Sequence, residues 1–157
     1  MSFEKLIENG CMKKRARYSF SIIALIVLFA SAGQVFSQTP VNFKIAFIGD
    51  QGLGENARAV LRLIKDEGAE AVLHQGDFDY KGDPKAWDDQ TNDILGPDFP
   101  YFVSIGNHDE GDWDGPGGYQ EFVEMRMNRI GVSWDGDLGI KSSLKYKGIF
   151  MIFVAPG

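Results

Sequence analysis

The stretch "AVLHQGDFDYKGDP" (residues 71–84) runs from apolar residues into Gly76 and then delivers Asp77, Asp79 and Tyr80. A β-rich apolar run that stops on a glycine and an acid reads as a buried parallel strand whose carboxyl end brings polar side chains to the rim of a sheet. Two other runs share this profile. "FKIAFIGDQG" (43–52) ends on Asp50, and "YFVSIGNHDE" (101–110) ends on Asn107, His108 and Asp109.

Helical patterns lie between them. "ENARAVLRLIKDEG" (55–68) places Ala57, Val60, Leu61 and Ile64 on one face, with Gly68 as a stop signal. "PKAWDDQTNDILG" (84–96) aligns Trp87, Thr91, Ile94 and Leu95 in the same way. After a glycine-rich loop (111–118), "YQEFVEMRMNRIG" (119–131) aligns Phe122, Val123, Met127 and Ile130. "SSLKYKGIFMIFVA" (142–155) reads as two strands joined at Lys147-Gly148, a hairpin signal, the second of them apolar enough for burial on both faces. The expected fold is therefore α/β, a parallel-sheet β-α-β-α-β core with a C-terminal hairpin. In such sheets functional groups collect beyond the carboxyl ends of the strands, where Asp50, Asp77 and Asn107 fall.

Residues 1–37 have a different character. The basic block "KKRAR" (13–17) precedes an apolar run that fades into small residues, the layout of a secretory signal. Cleavage is expected after Ser37, with Ala30-Ser31-Ala32 as a second candidate and an uncleaved membrane anchor over residues 18–36 as the rival reading. Met12, directly before two lysines, is an alternative start. The expected organisation is a signal or anchor over 1–37 and one domain over 38–157, exported from the cytoplasm. The only cysteine, Cys11, lies ahead of the apolar run, so residues 38–157 have no thiol chemistry.

Those residues carry 11 Lys plus Arg against 20 Asp plus Glu, a formal charge of −9. Such a field repels nucleic-acid backbones and anionic membranes, leaving the N-terminal segment as the only expected membrane contact. It suits cations. "GLGENA" (52–57) satisfies a dinucleotide fingerprint, which keeps a nucleotide-binding module using Gly52, Gly54 and Ala57 as an alternative. Against it, Asp50 would set a negative charge beside the pyrophosphate. "GDQGLG" (49–54) has P-loop spacing, but Glu55 and Asn56 stand where Lys and Ser/Thr are required.

Carboxylates, an amide oxygen and a phenol are ligands for hard or borderline cations, and one carboxylate can bridge two ions. His108, next to such a ligand, is placed to protonate a leaving group, with Asp109 as a partner that raises its basicity. "GDQG" (49–52), "GDFDY" (76–80) and "GNHD" (106–109), in this order and at strand ends, resemble the calcineurin-like metallophosphoesterases. Tyr80, and the lack of a histidine two residues after Asp50, make the purple acid phosphatase branch the most similar.

The resemblance covers roughly Phe43 to Val154. It implies that Asp50 and Tyr80 bind a first metal, that Asp77 bridges two, that Asn107 binds the second and that His108 meets the phosphoryl group or leaving oxygen. It further implies iron at one site, iron, zinc or manganese at the other, a metal-bound hydroxide as nucleophile and a phosphate ester as substrate. The family pattern continues with a histidine and then Gly-His-x-His, whereas this sequence has only His74 and His108. His74 is expected to be a satisfied structural histidine. The expectation is thus the N-terminal part of a metallophosphoesterase domain, half of its β-sandwich, inactive by itself, or else a remnant without chemistry.

Overall fold

Each of the three glycine-stopped runs forms a short parallel strand in the computed structural model, which describes residues 43–155. Strands β1 (Ile45–Ile48), β2 (Ala71–His74) and β3 (Tyr101–Val103) make one sheet in the order β1-β2-β3. Ile48 pairs with His74, and His74 with Val103, so the carboxyl ends of the strands lie level. Helix α1 (Glu55–Asp66) connects β1 to β2, and α2 (Pro84–Leu95) connects β2 to β3. The third strand is shorter than its apolar run. Ser104 N–H still donates to His74 O (2.9 Å), but Ile105 N–H turns away to Gly139 O (2.9 Å).

Local chemistry sets the helix ends. Asp83 caps α2 by accepting from Ala86 N–H at 3.0 Å, with Pro84 in the first turn, and Gly96 ends it at φ 100°. On α2 all four residues of the expected face are buried, joined by Asp88 and Gln90. On α1, Ala57, Leu61 and Ile64 are buried while Val60 remains 45% exposed, so the packed arc is narrower than its apolar periodicity. Helix α3 (Tyr119–Arg129) buries Tyr119, Val123, Arg126 and Met127, and Phe122 and Ile130 are only partly covered.

The C-terminal region contains the expected hairpin and adds a third strand to it. It is a three-stranded antiparallel sheet, β4 (Trp134–Asp137), β5 (Lys141–Tyr146) and β6 (Ile149–Val154), in that order. "WDGD" has no strand signature of its own. It pairs with β5 because Gly136, at φ 86°, lets the two backbones touch: a Cβ there would sit 2.4 Å from Lys141 O. Lys147 (φ 45°) and Gly148 (φ 83°) make the β5–β6 turn, both in the left-handed region such tight turns use. Strand β6, apolar enough for burial on both faces, buries only one: Met151 and Phe153 are buried, while Phe150, Ile152 and Val154 are 61–70% exposed. Among the described residues nothing packs on that outer face, and the strand keeps a one-sided, period-two pattern.

One core joins these parts, centred on Leu61, Val72, Phe78, Trp87, Tyr101, Phe102, Trp113 and Tyr119. The signal or anchor segment and Cys11 lie outside the described residues. No helix among the described residues is long and apolar enough to cross a membrane.

Candidate metal centre

Beyond the strand ends the three polar loops stay in contact. The loop after β1 continues the parallel ladder through Asp50 N–H to Gly76 O, Gln51 N–H to Asp77 O and Gly52 N–H to Phe78 O, each 3.1 Å. The loop after β2 meets the loop after β3 through two glycines. A Cβ on Gly76 would fall 2.3 Å from Gly106 N, and one on Gly106 would fall 2.1 Å from Asp77 Oδ1. Only glycine fits at either place.

Asp50 (φ 52°), Asp77 (φ 59°) and Tyr80 (φ 59°) all adopt left-handed backbone conformations. Strained non-glycine residues of this kind cluster where a side chain has to be aimed. Here the aim is mutual. The Tyr80 hydroxyl donates to Asp50 Oδ1 and lies 3.1 Å from Asp77 Oδ2, so three oxygens from two loops converge. The hydrogen bond to Asp50, then burial and the contact with Asp77, push the Tyr80 phenol well above its ordinary pKa.

Asn107 and His108 lie exposed on the adjoining loop. His108 N–H donates to Asp77 Oδ1 (3.2 Å), and its ring packs 4.9 Å from that of Tyr80. The structure therefore brings Asp50, Asp77 and Tyr80 together, with Asn107 and His108 beside them. Asp109 is placed differently from its expected pairing. Its carboxylate accepts from Asp77, Phe78 and Gly106 N–H (2.7, 2.8 and 2.8 Å), and none of its hydrogen bonds goes to His108. Among the described residues no three His, Cys, Asp or Glu side chains converge as a metal-binding group, so the oxygen cluster depends on the phenol.

A family model described as calcineurin-like phosphoesterase matches residues 43–152, the span that holds all three loops. The chain belongs to the calcineurin-like phosphoesterase family. No curated protein and no solved structure matches it.

The candidate site rests on buried polar residues that the strand-end pattern does not reveal. Gln90, on α2, accepts from Gly54 N–H (2.9 Å) and donates to Gly52 O (3.2 Å), pinning the loop after β1. With Gly52 N–H on Phe78 O, both glycine N–H groups of the dinucleotide-like loop are already taken. Tyr101 donates to Gln51 Oε1 (2.6 Å) and lies 3.0 Å from His74 Nδ1. Once its hydrogen is on Gln51, the hydroxyl oxygen accepts from Nδ1–H, which leaves the lone pair on Nε2. That nitrogen is buried without a partner among the described residues, so there His74 is only half satisfied. Burial pushes its imidazole down to about 3, with the charge of Asp50 pulling the other way.

Asp79, buried, accepts from Lys81, Gly82 and Asp83 N–H (2.7, 3.0 and 2.9 Å) and builds the turn into α2. The sequence signal for these supports is weak. A glutamine on a helix and a tyrosine that opens a strand are ordinary until the loops fold over them.

Proposed function

We propose that this chain is a metal-dependent phosphoesterase of the purple acid phosphatase type, acting on phosphate esters at a dinuclear site. The observation that carries this reading is the convergence of the Tyr80 hydroxyl on both Asp50 and Asp77. Two carboxylates and a phenol form a hard-oxygen set that fits a ferric or divalent ion, whose charge would reverse the upward push on the phenol. In this reading Asp50 and Tyr80 hold a first ion, Asp77 is shared, and Asn107 serves a second, with iron at one position and iron, zinc or manganese at the other. When bound, the ions supply an activated water and neutralise phosphoryl charge.

The chain's own groups do the rest. His108, exposed beside Asp77, donates a proton to the leaving oxygen. The Tyr80 ring packed against it limits where that imidazole can go. Four donors shared between two ions leave each ion at most three contacts from the described residues, so these residues alone hold metal weakly. The net negative charge leaves no general affinity for nucleic acid.

The test is to load the chain with ferric ion and compare it with Tyr80→Phe and Asp77→Ala. The native complex is expected to absorb visible light through tyrosinate charge transfer, Tyr80→Phe to lose that band, and Asp77→Ala to lose both ions. A colourless native iron complex excludes the purple branch, and an Asp77→Ala chain that holds as much metal as native excludes the shared carboxylate. We further propose export directed by residues 1–37. A processed protein beginning at Gln38 supports cleavage, whereas an intact N-terminus in the membrane fraction supports the anchor.

A further inference from the structure

The loop after β1 is laid on the loop after β2 by three backbone hydrogen bonds. The loop after β3 has no equivalent. Among the described residues the last backbone bond between β2 and its neighbour is Ser104 N–H to His74 O, and none joins residues 76–80 to residues 105–109. One side chain stands in for the missing ladder. Asp109 Oδ2 accepts from Asp77 N–H (2.7 Å) and Gly106 N–H (2.8 Å), and Oδ1 accepts from Phe78 N–H (2.8 Å).

We propose that Asp109 is a positioning residue that locks the loop carrying Asp77 to the loop carrying Asn107 and His108, and so fixes the spacing of the metal ligands. The proposal rests on the metal-binding reading of Asp77 and Asn107. Three N–H groups that converge on one point need an acceptor with more than one oxygen, which a carboxylate supplies and a carboxamide does not. Asp109 is 1% exposed, a position at which an ionised acid persists only if its bonds repay desolvation. The Gly76–Gly106 contact removes any slack, so a displaced carboxylate moves one loop against the other. Asp77 is held from both sides: its backbone N–H by Asp109, and its Oδ1 by His108 N–H at 3.2 Å.

The experiment uses the full chain, Asp109→Asn, and Met127→Ala as a control that destabilises the core away from the site. Amide hydrogen exchange is measured without metal, and Mn²⁺ binding by titration. The expected result is exchange at residues 77, 78 and 106 at least about tenfold faster in Asp109→Asn than in the control. Mn²⁺ affinity is expected to fall about 10–100-fold, the usual effect of removing a group that orients a ligand, while the control stays near native. Should Asp109→Asn not fold, Asp109→Glu, which keeps the charge but moves it by one methylene, is read in the same way. Exchange no faster than the control, or an unchanged Mn²⁺ affinity, overturns the proposal. A native chain that binds no Mn²⁺ refutes the metal reading instead, and the exchange pattern alone then decides whether Asp109 locks the loops.

Discussion

Asp50, Asp77 and Tyr80 hold backbone angles that L-residues avoid, at a cost of roughly 1–2 kcal/mol each where the side chain offers no local compensation. Replacing Asp50 therefore separates conformation from chemistry. Asp50→Gly is expected to be about 1 kcal/mol more stable than Asp50→Ala, the reverse of the usual order, with both variants deficient in metal. Urea midpoints with unchanged slopes measure the difference, and equal midpoints would mean the backbone relaxes out of the left-handed region.

His74 makes a second test. Its imidazole titrates near 6.5 when unfolded and near 3 when folded. Below 6.5 the unfolded chain binds a proton that the folded chain refuses, so stability falls as pH drops through that window. Between pH 7 and pH 5 the loss is about 2 kcal/mol from this group. His74→Phe should flatten that part of the pH profile, and a native profile already flat there would show the ring to be solvated.

Arg126 joins two helices. It projects from α3, fully buried, and donates to Asp88 Oδ1 (2.9 Å) and Asn92 Oδ1 (2.5 Å) on α2 and to Gly96 O (3.1 Å) at the end of that helix. It thereby fastens α3 to carbonyls that a helix end leaves open. Arg126→Ala strands Asp88 in the core, and a loss of about 3–5 kcal/mol is expected in thermal or urea unfolding. Restoring most of that loss with Arg126→Met combined with Asp88→Leu would identify the stranded charge as the cause. Arg126 also marks where reading by hydrophobic pattern stops. The strands and helices were readable because their apolar residues follow the right periods, and the meeting of Asp50, Asp77 and Tyr80 because a glycine followed by a polar side chain recurs at each strand end. An arginine on a packed face carries no such mark. Nor does β4, whose "WDGD" pairs only because Gly136 lets β5 approach. Asp109 adjoins His108 in sequence, which suggests a pair, whereas its carboxylate turns inward to backbone N–H groups that only the folded loops bring together.

The exposed row Phe150, Ile152 and Val154 on β6, with Phe47 also exposed on β1, leaves apolar surface on two strands that each pair on one side only among the described residues. Surfaces of this kind associate. The chain is expected to self-associate as concentration rises, and Ile152→Lys should shift it toward monomer in light scattering without lowering its unfolding midpoint by more than about 0.5 kcal/mol, the range for surface substitutions. A native chain that stays monomeric throughout would show the row to be tolerated in water. The β1-β2-β3 sheet has a different consequence, and it lies in time. Its strands pair in chain order, so the oxygens of Asp50 and Asp77 meet only after the β1–β2 pairing has closed a loop of some two dozen residues, and the lock from Asp109 waits on a second closure. A cation that recognises the finished cluster has nothing to hold while those loops are still open. It cannot hasten folding, and it acts by delaying escape: the unfolding limb of a chevron slows with added metal while the folding limb stays where it was.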